Sequence, residues 1–190
     1  MKKLTIILLV FFVLTSFITK DGVWKNDAPH SQLGFTVTHL GISDVSGTFN
    51  DFDVTLTSSK PDFSDAVFEL TGNVSSIDTR VEARDNHLKS ADFFDAAKYP
   101  TMNFKSTSLR DAGKDKYKLT GDLTLHGITR PVIMDLQYKG SVENPMSKKP
   151  SAGFQVTGII KRSDFNLGNS FPEQMISDEV RIKADGEFIK

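Results

Sequence analysis

The chain contains no cysteine. Disulfides, thiolate metal centres, a cysteine nucleophile, thioether haem attachment and a lipidated N-terminal cysteine are thereby excluded. A basic excess is also missing: 23 Lys and Arg stand against 24 Asp and Glu, for a formal net charge of −1. Displacing counterions from nucleic-acid phosphates needs a surplus of cations, so no nucleic-acid partner is expected. Long apolar runs are confined to Leu4–Ile18, interrupted only by Thr5, Thr15 and Ser16. That run is shorter than the ~20 residues a spanning helix needs, and with Lys2 and Lys3 ahead of it the pattern suits a signal-peptide core. Residues 1–19 are therefore read as a signal segment, with no small-x-small triplet to mark its cleavage and an uncleaved anchor as the alternative. A charged, cysteine-free exported domain behind a Lys-rich start fits a bacterial periplasm. The sequence also lacks HExxH, HxH, a GxSxG elbow and a glycine-rich phosphate loop, so no metal site, cofactor or catalytic residue is expected.

Among the aromatics, Trp is represented once and Tyr three times, whereas Phe occurs 15 times. Many of these Phe residues fall within runs that alternate apolar and polar, the period-2 pattern of half-buried strands. Leu33, Phe35, Val37 and His39 share one face of the first run. Val45, Gly47 and Phe49 follow, and the parity slips before Phe52, Val54 and Leu56, which predicts a bulge near Asn50–Asp51. Further runs are Ala66–Val74, one around Met102 and Phe104, then Tyr117–Leu125, Val132–Tyr138, Phe154–Ile160 and Val180–Phe188. Thr79 with Glu82 has capping-box spacing and predicts a short helix from Arg80 to about Ala91, closed off by Pro100.

About eight long antiparallel strands, each with one apolar face and only one helix among them, predict an all-β, eight-stranded antiparallel barrel with the helix across one rim. A two-sheet sandwich is the rival architecture. The inward parity repeatedly carries small residues: Gly47, Gly72, Ser106, Gly121, Gly158, Ala184 and Gly186. They read either as bends at barrel corners or as the lining of a hollow interior. On the second reading, Phe at position 121 or 184 would fill the hollow and leave the fold intact.

Alternating strand direction places the ends of the runs. His39, the helix with Arg84, Asp85 and His87, the turn at His126 beside Arg130, and the Arg162–Asp164 stretch all fall at one end. An apolar interior with polar groups at its entrance is the layout expected for an amphipathic small molecule.

The run Arg84-Asp85-Asn86-His87-Leu88-Lys89-Ser90-Ala91-Asp92-Phe93-Phe94-Asp95, followed by Tyr99-Pro100, resembles a signature of the YceI-like family of periplasmic proteins, as does Gly121–Val132. Ser31–His39, Gly47-Thr48-Phe49 and Arg162-Ser163-Asp164-Phe165 are similar to its remaining blocks, in order. The resemblance spans residues 20–190, read as a YceI-like lipid-binding domain. It implies a lipocalin-like barrel holding a long isoprenoid chain, such as a polyprenyl diphosphate or the tail of a quinone, with no settled enzymatic activity. The tail would then lie against Phe35, Val37, Phe49, Phe52, Phe68, Leu70, Phe104, Leu123, Met134, Phe154, Val156 and Ile182. The head group would meet His39, Arg84, His87 and Arg162, where guanidinium forks suit a diphosphate.

Two other classes remain open at this point. One is an enzyme with His87 as general base oriented by Asp85. The other is a structural or partner-docking barrel with a filled interior. A three-histidine metal site from His39, His87 and His126 would require the helix to tilt inward, and no ligand spacing supports it. Transient contact with a membrane or a membrane redox protein, and a homodimer, are left open as partner arrangements.

Overall fold

The computed structural model describes residues Gly22–Lys190, so the signal segment read over residues 1–19 lies outside the described residues. The alternating runs form strands β1 (Gly22–Asn26), β2 (Gln32–His39), β3 (Ser43–Phe49), β4 (Phe52–Ser58), β5 (Val67–Asn73), β6 (Ile77–Asp78), β7 (Thr101–Asp111), β8 (Lys116–Leu125), β9 (Ile128–Glu143), β10 (Pro150–Lys161) and β11 (Glu179–Ile189). The first six are pieces of three bent strands. Residues 22–39 run antiparallel to residues 43–58 throughout, with Gly22 opposite Ser58 at one end and His39 opposite Ser43 at the other. Residues 67–78 follow the far side of that second strand, pairing Phe52 with Gly72 and Phe49 with Ile77.

All three bend at one level, at the 3-10 turns Ala28–His30 and Val74–Ser76 and at Asn50–Asp51, where the parity slip predicts a bulge. The kink is stitched by Asn73 N–H to the Asp51 carbonyl (2.9 Å) and Asn50 N–H to the Ser76 carbonyl (3.2 Å). β11 pairs β10 from Ser151↔Ile189 to Lys161↔Glu179. Its other edge takes β2 from Arg181↔Thr36 and β1 at Lys25↔Ile189, which closes an 8-strand antiparallel barrel. Closure leaves no long free edge, which is why alternating strands with so little helix settle on this form.

The barrel is plugged at the end where β1 starts. Phe63, from the β4–β5 connection, sits 5.4 Å from the Trp24 ring, 5.5 Å from Tyr138 and 5.3 Å from Phe154. Phe154 in turn meets Phe68 at 5.4 Å and Phe188 at 5.7 Å, mostly edge to face, the arrangement ring quadrupoles favour. The alternation reading misses β1, although Trp24 on it is buried.

The one α-helix among the described residues, α1, spans Glu82–Lys89 and lies at the opposite rim. It is shorter than expected, and Thr79 is not its cap: Val81 holds the N-cap position without a side-chain cap bond. Thr79 is buried and gives both its N–H (2.8 Å) and its hydroxyl (2.5 Å) to Asp85 Oδ1. The carboxylate thus reaches back from the helix to the strand end, reversing the predicted capping box. Glu82 takes no part.

Candidate ligand-binding cavity

Between the aromatic plug and the α1 rim lies a cavity of about 460 Å³, within the range of small-molecule sites. Its wall includes Phe35, Val37, Phe49, Phe52, Phe68, Leu70, Phe104, Leu123, Met134, Phe154, Val156 and Ile182. Phe35, Leu70, Phe104, Leu123, Val156 and Ile182 pack on the core and yet are only half-buried. In a close-packed interior they would be covered, so their remaining exposure is to the hollow itself.

Gly47, Gly72 and Gly121 follow a third pattern, neither simple corners nor open lining, whereas Gly186 is on the cavity wall. A β-carbon on Gly47 would stand 2.5 Å from Cζ of Phe35, its partner across the β2–β3 ladder. At Gly72 it would stand 3.1 Å from Cγ of its partner Met102, and at Gly121 2.5 Å from Cε2 of Phe104 and 2.6 Å from the Lys105 carbonyl. A large side chain from a neighbouring strand therefore lies over each glycine. This corrects the expectation for Gly121, which has no room for Phe. Ala184, by contrast, lines the cavity.

The rim brings together His39, Arg84, His87 and Arg162, all on the cavity wall. One lip is α1 with the segment after it. The other is the connection 166–177, which is fastened to the end of β2 by Leu40 N–H to the Met175 carbonyl (3.0 Å), Ser177 N–H to the Thr38 carbonyl (2.9 Å) and Thr38 N–H to Ser177 Oγ (2.9 Å). The lips meet through rings. Phe93 stacks on Phe171 at 4.9 Å and 18°, and the His87 ring sets its edge to both at 5.1 and 5.6 Å. Gly168, at φ +60°, lies directly beneath Phe93, where a side chain would be both strained and blocked.

The two arginines differ in kind. Arg162 is buried, and all five of its N–H groups point at main-chain carbonyls: Ser177 from Nε (3.2 Å), Leu167 (3.1 Å) and Gly168 (2.7 Å) from Nη1, Phe171 (2.7 Å) and Ile176 (3.1 Å) from Nη2. A guanidinium has five donors. None is left to grip a diphosphate, which corrects the expected head-group contact; Arg162 instead shapes the 166–177 lip. Half-buried Arg84 uses Nε on Thr79 Oγ1 (2.7 Å) and one Nη2 proton on the Thr79 carbonyl (2.7 Å). Its Nη1 makes no hydrogen bond among the described residues, and Arg84 is part of the cavity wall.

The histidines also separate. His87 Nε2 pairs with Asp92 at 3.0 Å, while Asp85 is bound to Thr79, so the expected His87–Asp85 pair does not form. His126 heads a two-residue turn with Gly127, both at positive φ, and its Nδ1 donates to the Phe165 carbonyl (3.2 Å) beside the Tyr99 ring. It is not on the cavity wall, and neither is Arg130, whose Nε donates to the Asp164 carbonyl (3.4 Å). The three histidines therefore do not converge.

Phe93, Phe171, Met175 and Ile176 belong to the site but were not singled out by the sequence reading. The last three lie on a connection without alternation, which the carbonyl cage of Arg162 and the bonds to Thr38 and Leu40 fold back over the barrel.

A closed antiparallel barrel with an apolar hollow, sealed at one end and open through a polar rim, is a lipocalin-like architecture for small amphipathic molecules. The chain belongs to the YceI-like family, whose domain model matches residues 24–188. Protein YceI of Escherichia coli O157:H7 is 39% identical over 177 residues, covering 93% of this chain and 92% of that protein. Among solved structures, Burkholderia cenocepacia BcnA superposes with a TM-score of 0.77 at 25% identity over 85% of this chain and 98% of that one. A polyisoprenoid binding domain from Saccharophagus degradans, implicated in plant cell wall breakdown, shares the fold with a TM-score of 0.66 at 16% identity, covering 90% and 99%.

Proposed function

We propose that this protein binds an amphipathic isoprenoid lipid, with its chain in the barrel, and carries, stores or protects it in the cell envelope. The observation that carries this reading is the cavity of about 460 Å³ walled by Phe, Leu, Val and Met and opening through a rim with Arg84 and His39. Burying the chain contributes roughly 25 cal/mol per Å² of apolar surface. A smooth aliphatic and aromatic wall tolerates sliding by whole five-carbon units, so length discrimination is weak and polar contacts set selectivity. Arg84 Nη1 suits an anionic end such as a diphosphate, because charge-assisted bonds to phosphate oxygens are the stronger kind. The S. degradans relative, described as polyisoprenoid binding, supports the chain chemistry. The apolar run Leu4–Ile18 behind Lys2 and Lys3 supports delivery to the periplasm. Leu40 and Ile42, exposed at the tip of the β2–β3 hairpin, and Met175 border the same mouth, where a lipid would pass between a membrane and the barrel.

The reading is non-enzymatic. Asp85 holds Thr79 and not His87, so the His87–Asp85 pair that an enzymatic reading calls for is not assembled. Native mass spectrometry of the protein purified from envelope without detergent should show a mass increment equal to an isoprenoid lipid. An unliganded barrel that also fails to take up added polyprenols would overturn the proposal.

A further inference from the structure

The tip of the β2–β3 hairpin stands at the mouth and is built against its own conformational preference. Leu40 and Gly41 are the central residues of a tight turn closed by Ile42 N–H to the His39 carbonyl (3.1 Å), and both have positive φ, +52° and +68°. That backbone suits Gly or Asn, because a β-carbon crowds the neighbouring carbonyl. Among the described residues, two apolar side chains are held at positive φ, on Leu40 and Phe63. Phe63 is buried in the plug, where packing on Trp24, Tyr138 and Phe154 offsets the strain. Leu40 gains no comparable burial: it is 52% exposed and Ile42 is 84% exposed. A β-carbon on Gly41 would meet nothing within 4 Å, so the tip stands clear of the barrel.

Size, shape and charge say what covers it. Leu40 and Ile42 form a convex tip, with exposed Met175 held beside them by the Leu40 N–H bond to its carbonyl (3.0 Å). Three such side chains fall far short of the ~800 Å² per partner that a stable protein interface buries. A fluid phase needs no complementary surface and takes in a tip by its apolar area alone. Residues Leu40–Ser43 carry no charge, and Asp44 behind them is paired with Arg181 at 2.6 Å. Exposed charges elsewhere on the rim are of both signs, Arg80 and Lys161 with Glu82 and Glu173, so the rim is not set against phosphate head groups. Val23 and Met146, exposed at the plug end, carry no such backbone strain.

We infer that the Leu40–Ile42 tip is a membrane-docking element. It enters the interfacial layer of a phospholipid bilayer and sets the mouth against it, so that the cargo passes between bilayer and cavity without crossing bulk water. The inference rests on the proposed isoprenoid binding for its cargo and names the partner surface of the same mouth. Leu40 and Ile42 are not on the cavity wall, so docking and binding are separable.

The test follows uptake of a fluorescent polyprenol from phosphatidylcholine vesicles by the parent and by the double variant Leu40→Asn, Ile42→Ser. Asn tolerates positive φ, so the variant should melt close to the parent and bind detergent-dispersed polyprenol with parental affinity. Uptake from vesicles should rise in proportion to vesicle concentration in the parent, as collision requires, and be at least about tenfold slower in the variant. In the parent, a spin-labelled lipid in empty vesicles should broaden the Leu40 and Ile42 methyl signals in NMR and spare those of Val23 and Met146, a readout that needs no variant to fold. Parental uptake by the variant, a parent rate independent of vesicle concentration, or tip methyls left sharp would overturn the docking. A dimer in sedimentation that the variant dissolves would also overturn it, by giving the tip to a second copy. A parent that docks on empty vesicles but takes up no isoprenoid overturns the proposed function and leaves the docking standing.

Discussion

The Phe35 ring rests on Gly47, its partner across the β2–β3 ladder, so closely that a β-carbon at position 47 would stand 2.5 Å from Cζ. The same device recurs with Met102 over Gly72 and Phe104 over Gly121. Each glycine lets a large neighbour lie along the wall instead of projecting across the barrel, so the hollow depends on small residues that are not themselves open to it.

Substitution should therefore separate two sorts of small inward residue. Gly121→Ala must displace the Phe104 ring and the Lys105 carbonyl, and should lower stability by roughly 1–3 kcal/mol in urea unfolding. Ala184→Phe, facing the cavity, should keep a near-parental melting temperature and lose at least about tenfold in binding of a long polyprenol. A stable Gly121→Ala variant would show that the wall yields more readily than its contacts imply.

The two arginines should fail differently. Arg162→Met strips the donors from five carbonyls and should cost roughly 3 kcal/mol or more, with faster amide exchange across residues 166–177 and weaker binding of every ligand. Arg84→Met should weaken a polyprenyl diphosphate by about tenfold and barely change the matching alcohol, read by displacement of a fluorescent lipid. Equal loss for alcohol and diphosphate would assign Arg84 to holding Thr79 and nothing more.

Phe171→Ala removes the ring that joins the two lips through Phe93 and His87. Lipid release should accelerate several-fold with little change in association, measured by exchange against excess unlabelled lipid. Unchanged release would mean the ring pair does not restrain the mouth.

Asp65 supplies a pH test away from the site. Hydrogen bonds from the Ser58 and Ser59 hydroxyls, and from the Ser59 and Lys60 N–H groups, hold its carboxyl well below the usual carboxylate range. A depressed folded-state value means the stabilisation is complete above the unfolded value, near 4, and is lost as pH falls through the folded one. Asp65→Asn should therefore be less stable than the parent by roughly 1 kcal/mol at pH 7, with the gap narrowing below about pH 4. A gap that widens on acidification would contradict the sign.

Much of the site could be read before any coordinates. Alternation placed Phe35, Leu70, Phe104, Leu123, Val156 and Ile182 on inward faces, and counting strand directions brought His39, Arg84, His87 and Arg162 to one rim. The end wall escaped that reading, since Trp24 lies on a strand too short to show alternation and Phe63 on a connection. The His126 reading failed for a related reason: the turn reaches the right end of the barrel, but its ring turns away to the Phe165 carbonyl.

What the sequence determined by itself is whatever depends on period and order: the barrel, its inward face, the rim to which each strand end goes. These follow from local geometry, because side chains in a strand alternate regardless of what lies opposite. Only the tertiary structure decided which polar groups remain available. Arg162 and Arg84 are alike in sequence terms, yet residues 166–177 fold back to satisfy every donor of the first, whereas the second, on the cavity wall, bonds only Thr79 and keeps Nη1 without a partner among the described residues. Hydrogen-bond partners far along the chain carry no periodic signal, so the allocation of donors, and with it the chemistry of the mouth, emerges only when the chain closes on itself.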